Sequence, residues 1–304
     1  MNGLAARRFV AHDFRVGIAI VAQRPSRTNA RLASAGGTAW SWLTPAVDPV
    51  QRREDVETAE RRVPRPELLE CGGGLRVLGE LEARHVRVLN PAGALLAAHD
   101  KLVTARVLEG ASLPHPRTRF ASSAWEEDAW GGPVVVKPRF GSWGRAVHRC
   151  DDEASLAALL DGLMTERWFA LHGALVQELV EPAGHDLRVV VAGGRAVGAI
   201  SRVAARGEWR TNVALGARRR RITPPAEAVR LALAAAEAAH ADLVGVDMLP
   251  LPGGDWTILE LNGAVEFTGA YSQGADVFAA AVRELELRAL LDDLEAPRTS
   301  PAPL

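Results

Sequence analysis

The chain has few of the features on which several common classes of protein depend. Only Cys71 and Cys150 occur among its 304 residues, and neither belongs to a CxxC pair or a Cys/His cluster. This spacing excludes a disulfide framework and a zinc site. The apolar run near the start, VGIAIVA, is too short for a signal or spanning segment. We therefore predict a cytoplasmic protein without membrane association, in which residues 1–14 form a loose extension.

An excess of either sign of charge is also absent. The 36 Lys and Arg residues nearly balance the 37 Asp and Glu residues, and the formal net charge is -1. Bulk charge therefore gives no reason to expect nucleic acid or a membrane surface as a partner. The chain is longer than a typical domain of roughly 100–200 residues, so we expect two or three lobes with more than one core.

Lysine is scarce: Lys101 and Lys137 are the only lysines among the 36 basic residues. Asn, Ile and Tyr are also rare, whereas Ala, Arg, Gly and Pro abound, as expected under pressure toward GC-rich codons. A lysine kept against this bias is a candidate for a site where arginine fails. A compact ammonium can meet a phosphate as a point charge, whereas a guanidinium is a planar fork. Chance survival on the surface is the alternative.

The hydrophobic pattern predicts lobes that mix helices and strands. A strand is predicted at 16–21, followed by a helix at 27–35 with Ser26 as its N-cap. Asp100 is predicted to cap a helix that carries Lys101 in its first turn. The segments VVVKP and AVHRC are predicted as strands joined by the loop FGSWGR, and two later pairs of strands are predicted as hairpins.

We divide the chain into an N-terminal lobe at 1–96, a central lobe at 97–173, a C-terminal lobe at 174–294 and a disordered tail at 295–304. Within the first lobe, residues 50–66 carry many charges and no sustained apolar face. This pattern predicts a loop or a solvated edge element.

Two acids and an amide are predicted to meet on neighbouring strands. Glu260 and Asn262 are two residues apart in the strand WTILELNG and project from one face, and Asp247 lies on the predicted partner strand. Their oxygens suit Mg²⁺, which usually keeps phosphate and water oxygens as its other ligands. A pair of buried or edge acids at a hairpin end is the alternative.

The loop FGSWGR contains Gly141 and Gly144, whose backbone freedom allows N–H groups to wrap phosphate oxygens. It is not a Walker A loop, because it joins two strands and leads into no helix. An ordinary hairpin loop would explain it if it stood alone. Lys137, three residues before the loop on the same hairpin, favours a phosphate site.

Seven segments occur in this order within roughly residues 85–285: HDKLVTA, VVVKPRFGSWGR, QELV, DLRVVV, RTN, GVDM and ILELNGAVEF. Taken in order, they resemble the ATP-grasp superfamily, in particular its RimK-like glutamate ligases. GSWGR is most similar to ligases acting on the amino-group carrier protein of lysine and arginine biosynthesis, and RTN is similar to the RSN of members that glutamylate a ribosomal protein. The resemblance implies an α/β fold of the ATP-grasp type, with an N-terminal α/β pre-ATP-grasp lobe and two subdomains that clasp the nucleotide.

The resemblance also implies roles for the matching residues. Lys101 and Lys137 would contact the α- and β-phosphates of ATP, and Arg188 would hold the γ-phosphate and then the acyl phosphate. Arg210 and Asn212 would meet γ-phosphate oxygens or the substrate carboxylate. Further nucleotide contacts are implied for the phosphate-covering residues Gly141, Ser142, Trp143, Gly144 and Arg145, for the adenine hinge at Gln177, Glu178, Leu179 and Val180, and for Asp186 as a ribose or ordering contact. Mg²⁺, or Mn²⁺ in its place, would be held by Asp247, Glu260 and Asn262, and a substrate carboxylate by Arg202.

The sequence contains no HExxH, no GxSxG and no convincing Cys/His pair, so we expect no nucleophile from the enzyme itself. The resemblance implies an ATP-dependent carboxylate–amine ligase that forms an acyl phosphate. Its expected substrates are L-glutamate or a related amino acid and a carrier protein or small cofactor. A ligase for dipeptide or cofactor synthesis with other substrates, and a nucleotide-binding protein that has lost catalysis, stay open as alternatives.

One segment departs from the family pattern. Relatives often have a glycine-rich RGG after the Asn, whereas this chain has NVALGA at 212–217 followed by four arginines, Arg218 to Arg221. The four arginines predict either a solvated hairpin or a dock for an acidic carrier protein. The departure leaves the identity of both substrates open. Whether the protein forms a homo-oligomer is also open.

Overall fold

The structure, a computed structural model, describes residues 18–21, 26–37, 40–43, 75, 78–79, 81–84, 87–122 and 130–295. The strands in these ranges are β1 (Ile18–Val21), β2 (Trp40–Leu43), β3 (Thr118–Ala121), β4 (Val134–Pro138), β5 (His148–Cys150), β6 (Ala174–Glu178), β7 (His185–Ala192), β8 (Arg195–Val203), β9 (Arg218–Arg221), β10 (Leu243–Pro250) and β11 (Trp256–Asn262). The helices are α1 (Arg27–Gly36), α2 (Ala92–His99), α3 (Lys101–Gly110), α4 (Glu153–Leu163), α5 (Arg167–His172), α6 (Ala226–Ala238) and α7 (Val277–Glu295).

Polar side chains determine where two of the helices begin. The Ser26 hydroxyl accepts from the backbone N–H of Asn29 at 3.0 Å, and the Asp100 carboxylate accepts from the backbone N–H of Leu102 at 3.0 Å. Such caps satisfy N–H groups that lack a partner within the helix, and each is typically worth about 1 kcal/mol. Both predicted caps are confirmed, and the second places Lys101 in the first turn of α3.

Five antiparallel strands form the larger sheet, in the order β11-β10-β7-β8-β9. The two faces differ because side chains alternate along a strand. On β7, Leu187, Val189 and Val191 are buried in a core that includes α6 residues, whereas Asp186 and Arg188 occupy the opposite face. The predicted hairpins β7/β8 and β10/β11 are confirmed. The larger sheet therefore presents acids and arginines together on one side.

The smaller sheet contains four antiparallel strands in the order β3-β6-β4-β5. The glycine loop, residues 140–145, lies between β4 and β5 as predicted. Helices α4 and α5 share a core with this sheet that includes Leu156, Leu160 and Phe169. The boundary predicted at residue 173 needs correction, because β6 begins at Ala174 and pairs with β3 and β4. The remaining boundaries of the three lobes stay predictions.

The N-terminal residues include a parallel pair of strands, β1 and β2. Helix α1 contacts the C-terminal part of the chain, where the Thr28 hydroxyl donates to the Phe267 carbonyl at 3.2 Å. The described residues 87–89 belong to no strand. Next to them, the Asn90 side chain donates to the Leu243 carbonyl at 2.6 Å and accepts from the Leu243 N–H at 2.7 Å.

Some sequence-based expectations fall outside the described residues. These are the predictions for residues 1–14, for the charged segment 50–66 and for the tail beyond residue 295. Among the helices that the structure describes, none combines the length and the apolar character needed to cross a bilayer.

Candidate active site

A cleft opens between the two sheets and holds about 1000 Å³ of space, part of it continuous with solvent. Most of the predicted site residues line the cleft: Lys101, Lys137, Gly141, Ser142, Trp143, Gly144, Arg145, Gln177, Glu178, Leu179, Val180, Asp186, Arg202, Arg210, Asn212, Asp247 and Glu260. The other two, Arg188 and Asn262, contact Asp247 from behind this lining.

The two lysines reach the cleft from different elements. Lys101 of α3 donates its Nζ to the Gly141 carbonyl, and Lys137 of β4 donates its Nζ to Gln177 Oε1 at 2.8 Å. Burial lowers the pKa of Lys137 to about 8, while the Glu260 carboxylate opposes this shift and Lys101 adds to it. Both bonded partners are neutral oxygens. Two ammonium groups in such surroundings favour an anionic ligand.

The glycine loop adopts backbone conformations that favour glycine. Gly141, Trp143 and Gly144 have φ angles of 124, 65 and 71°. At Gly144 the surroundings also exclude a side chain, since a Cβ would lie 2.6 Å from Asn212 Oδ1. Trp143 is 48% exposed, and the Arg145 guanidinium carbon lies 4.9 Å from the centre of its ring. The loop therefore packs directly on the segment that carries Asn212 and keeps an aromatic side chain at the cleft rim.

Arg210 connects the glycine loop to an acid on its own segment. Its Nε and Nη2 donate to Glu208 at 3.0 and 2.9 Å, and its Nη1 donates to the carbonyls of Gly144 at 2.9 Å and Val147 at 3.3 Å. Hydrogen bonds from Arg210 lower the pKa of Glu208 to about 2. These four bonds use four of the five guanidinium N–H groups, so one N–H of Nη2 is left for a phosphate contact. Glu208 was not predicted, and its only signal is its position two residues before Arg210.

Four charged side chains form an alternating row on the larger sheet. Arg188 donates to the two oxygens of Asp247 at 2.6 and 2.7 Å, and Arg202 donates to Asp247 at 2.9 Å and to both oxygens of Asp186. The row follows from strand register, which pairs Arg188 with Asp247 and Asp186 with Arg202. Both acids are 1% exposed, and buried charges of this kind need paired partners.

This row bears on three predicted roles. Burial alone would raise the pKa of Asp247, but Arg188 and Arg202 outweigh it and lower the pKa to about 2. Arg202, predicted to hold a substrate carboxylate, is bonded to two acids of the protein. Asp186, predicted as a ribose or ordering contact, accepts from Arg202 and from the Thr211 hydroxyl. These contacts favour the ordering role for Asp186.

The predicted metal ligands lie close together. Asp247 and Glu260 are paired across β10 and β11, and Asn262 Nδ2 lies 3.3 Å from Asp247 Oδ2. No group of three or more His, Cys, Asp or Glu residues suited to a metal occurs in the described part of the chain, so the set would consist of two carboxylates and one amide. These oxygen donors fit Mg²⁺ with phosphate and water as further ligands. Asp247 Oδ1 accepts one of the hydrogen bonds to this carboxylate, from Arg188 Nε, and so keeps a lone pair for a metal.

A buried polar chain supports Lys137 and was not predicted. Gln177 Nε2 donates to the Thr118 hydroxyl at 2.8 Å and lies 3.3 Å from His115 Nε2. Burial lowers the pKa of His115 to about 4, which keeps its ring neutral at physiological pH. These hydrogen bonds orient the amide oxygen of Gln177 toward Lys137. A single histidine in a proline-containing loop gives no sequence pattern from which this contact follows.

Comparison with known proteins identifies related sequences. A family profile for the RimK-like ATP-grasp domain matches residues 98–285. Glutamate–LysW ligase ArgX of Sulfurisphaera tokodaii is 30% identical over 193 residues, which cover 62% of this chain and 68% of that protein. Tetrahydromethanopterin:alpha-L-glutamate ligase of Methanosarcina acetivorans is 32% identical over 187 residues, which cover 57% of this chain and 56% of that protein. The match thus spans little more than half of the second relative.

Solved structures have the same fold. D-alanine–D-alanine ligase from Bacillus anthracis complexed with ATP has a TM-score of 0.61 at 15% identity, with 93% of this chain and 100% of that chain covered. The ATP-grasp ligase PsnB complexed with a phosphomimetic variant of a minimal precursor, Mg and ADP has a TM-score of 0.61 at 17% identity, with 90% and 99% covered. At these identities the likeness concerns the fold alone, and it confirms the predicted ATP-grasp fold.

Proposed function

The chain belongs to the RimK-like ATP-grasp family, and from this premise we propose that it adds L-glutamate or a related amino acid to a carrier protein or small cofactor. Family membership confirms the resemblance noted in the sequence and, with the named relatives, the predicted class of carboxylate–amine ligase. ATP as co-substrate, Mg²⁺ as cofactor, an acyl-phosphate intermediate and a cytoplasmic location belong to the proposal. The solved neighbours that hold ATP, or Mg with ADP, support the first two.

One observation carries the proposal: ammonium groups and carboxylates from different elements line the same cleft. Lys101 of α3 and Lys137 of β4 supply positive charge, and Asp247 of β10 and Glu260 of β11 supply metal-binding oxygens. Phosphoryl transfer is accelerated chiefly by positioning and by neutralising charge on the phosphate oxygens. A triphosphate between these two groups would receive both.

The adenine ring would lie against the hinge formed by residues 177–180. The backbone N–H of Glu178 donates to the Arg117 carbonyl at 2.9 Å, and that of Leu179 donates to the Pro133 carbonyl at 3.0 Å. Glu178 can therefore offer adenine only its carbonyl. The Val180 N–H would supply the donor, which gives the acceptor and donor pair that an adenine edge requires.

In the proposed reaction a carboxylate oxygen of one substrate attacks the γ-phosphorus of ATP, and ADP leaves. The amine of the second substrate then attacks the acyl carbon, and phosphate leaves with the former carboxylate oxygen. Arg188 would neutralise the transferring group after giving up one bond to Asp247. Asp247, Glu260 and Asn262 would hold Mg²⁺, which when bound supplies positive charge to phosphate oxygens. The glycine loop would exclude the water that hydrolyses an acyl phosphate.

A phosphate-release screen tests the proposal. Purified protein, ATP and MgCl₂ are combined with L-glutamate and a panel of carboxylate acceptors that includes peptides ending in glutamate. Product masses are determined by mass spectrometry. We expect phosphate release that requires both substrates and a product heavier than its acceptor by one glutamyl unit. Arg188→Ala is the matched variant, which should bind ATP but release little phosphate.

The other outcomes of this screen are equally informative. Turnover only with a different amine or carboxylate would keep the ligase and change its substrates. Normal ATP binding with no substrate-dependent phosphate release across the panel would contradict the proposal and favour a nucleotide-binding protein without catalysis.

A further inference from the structure

Strand β9 consists of four consecutive arginines, Arg218 to Arg221, at one edge of the larger sheet. All four residues are exposed, and none forms a salt bridge within the ranges that the structure describes. Adjacent like charges repel one another, and the formal net charge of -1 shows that the cluster does not reflect a basic chain. An uncompensated cluster of this kind favours an anionic partner.

Strand register divides these arginines between two faces. Arg219 is paired with Arg202 of β8, and Arg221 with Ile200. Paired residues in a sheet project to the same side, so Arg219 and Arg221 share the face of Arg202 and the charged row. Arg218 and Arg220 project to the opposite face. Half of the cluster is therefore continuous with the face that lines the cleft.

Because Arg202 is buried, the exposed arginine beside it on the same face is the one available to a substrate. Arg202 is 7% exposed and is bonded to Asp186 and Asp247, so its charge is compensated within the protein. Arg219 lies one strand further out on the same face and is exposed. A substrate carboxylate that approaches along this face meets Arg219 before it can reach Arg202.

We propose that β9 is the docking strand for an acidic peptide segment of the acceptor substrate. Carboxylates of the segment bind Arg219 and Arg221, and its backbone pairs with the open edge of β9 as an added strand. A peptide fits better than a nucleic acid, because only a peptide backbone can continue the sheet. That the bound peptide is a substrate rests on the proposed ligase function, whereas the binding of the peptide to β9 does not.

Edge strands also carry charges for a simpler reason, which is to prevent pairing between copies of the protein. That reading predicts that all four arginines act alike and that their loss causes self-association. It gives no reason for peptide binding to depend on the face from which charge is removed.

Two double variants of equal charge provide the test, Arg219→Gln with Arg221→Gln and Arg218→Gln with Arg220→Gln. The probe is a fluorescein-labelled eight-residue peptide in which glutamate alternates with threonine, so that an added strand presents all its carboxylates to one face, and its binding is followed by fluorescence anisotropy at low salt without ATP. We expect the first pair to weaken binding by about 10-fold and the second by less than about threefold, since exposed ion pairs are individually weak. A peptide N-methylated at alternate residues should bind more weakly than its parent if the backbone pairs with β9.

Several results would overturn the proposal. Equal weakening by the two pairs, or an eight-nucleotide DNA strand that binds as tightly as the peptide, would show general attraction of polyanions. Unchanged peptide binding together with self-association of the variants would show edge protection. Circular dichroism and ATP binding confirm that the variants fold. Ligation of small acceptors without peptide binding would contradict the docking proposal alone. Peptide binding without any ligation would contradict the proposed ligase function alone.

Discussion

The two walls of the cleft treat charge in different ways. On the larger sheet, Asp186 and Asp247 are buried and bonded to Arg188 and Arg202, so the charges compensate one another within the protein. On the smaller sheet, the buried Lys137 ammonium donates to a neutral oxygen of Gln177. The first wall pairs its charges within the protein, whereas the ammonium of the second is not compensated by a bonded carboxylate. The comparison teaches that ion pairs give the first wall its stability, while the second bears a charge that an anionic ligand would stabilise.

The largest effect is expected from breaking the compensated wall. Asp247→Asn removes the carboxylate to which both arginines donate and should lower the free energy of unfolding by about 3 kcal/mol or more, since breaking a buried ion pair leaves an uncompensated charge. Phosphate release should also fall by about 10²-fold or more, because the proposed metal ligand and the partner of Arg188 are lost together. Chemical denaturation and the phosphate assay measure the two effects.

Asp255→Asn is the matched control, since Asp255 is exposed between the strands of the same hairpin. It should change stability by no more than about 0.5 kcal/mol. An Asp247→Asn protein as stable as its parent would show that the charged row does not hold this wall together.

The uncompensated wall is tested by pH. Lys137 has a pKa of about 8 in the folded protein, below its ordinary value near 10.4, so the unfolded chain binds more protons between these limits. Stability should therefore rise with pH from about 8 to about 10, by on the order of 3 kcal/mol at most, and Lys137→Met should remove this rise. In the parent protein, ATP affinity should fall as pH increases through about 8, because the ammonium is lost.

Urea unfolding and calorimetric titration with ATP, each across pH 7 to 10.5, measure the two dependences. If Lys137→Met kept the rise in stability with pH, the buried charge of Lys137 would not be its source.

The smallest effect concerns the bonds that join the loop to the segment at 208–212. Glu208→Gln weakens the pair that orients Arg210 toward the carbonyls of Gly144 and Val147. We expect ATP affinity to change little, while phosphate released per amide formed increases by about threefold, because a looser cover admits water. Parallel assays of phosphate and of amide product give this ratio.

Glu227→Gln provides the control, since Glu227 forms a comparable exposed pair with Arg230 on α6, away from the cleft. Its ratio should equal that of the parent protein. A Glu208→Gln ratio that also stays unchanged would contradict a role for Arg210 in holding the loop.

Features that depend on short spacing were predictable from the sequence. The Asp100 cap, the loop between two strands and the shared face of Glu260 and Asn262 follow from residues close in the chain. Lysine scarcity also identified both lysines of the cleft, because a strong codon bias makes each surviving lysine informative.

Features that depend on pairing between distant strands were not predictable in the same way. The row that joins Arg188 and Arg202 to two acids depends on the register of three strands, and no short sequence pattern predicts that register. For the same reason, the sequence alone does not show that β6 pairs with β3 and β4. Strand β3 and helix α5 are 4 and 6 residues long, too short to show a clear period.

The central claim is that a carboxylate becomes an acyl phosphate in this cleft, and an oxygen-transfer measurement tests it most directly. A glutamate-ended peptide is enriched in ¹⁸O at its carboxylates and incubated with the protein, ATP, MgCl₂ and unlabelled L-glutamate, and the phosphate is analysed by mass spectrometry. The account predicts one peptide-derived oxygen in each phosphate and equal amounts of ADP and amide. Amide formation with unlabelled phosphate, or with label in AMP, would contradict it.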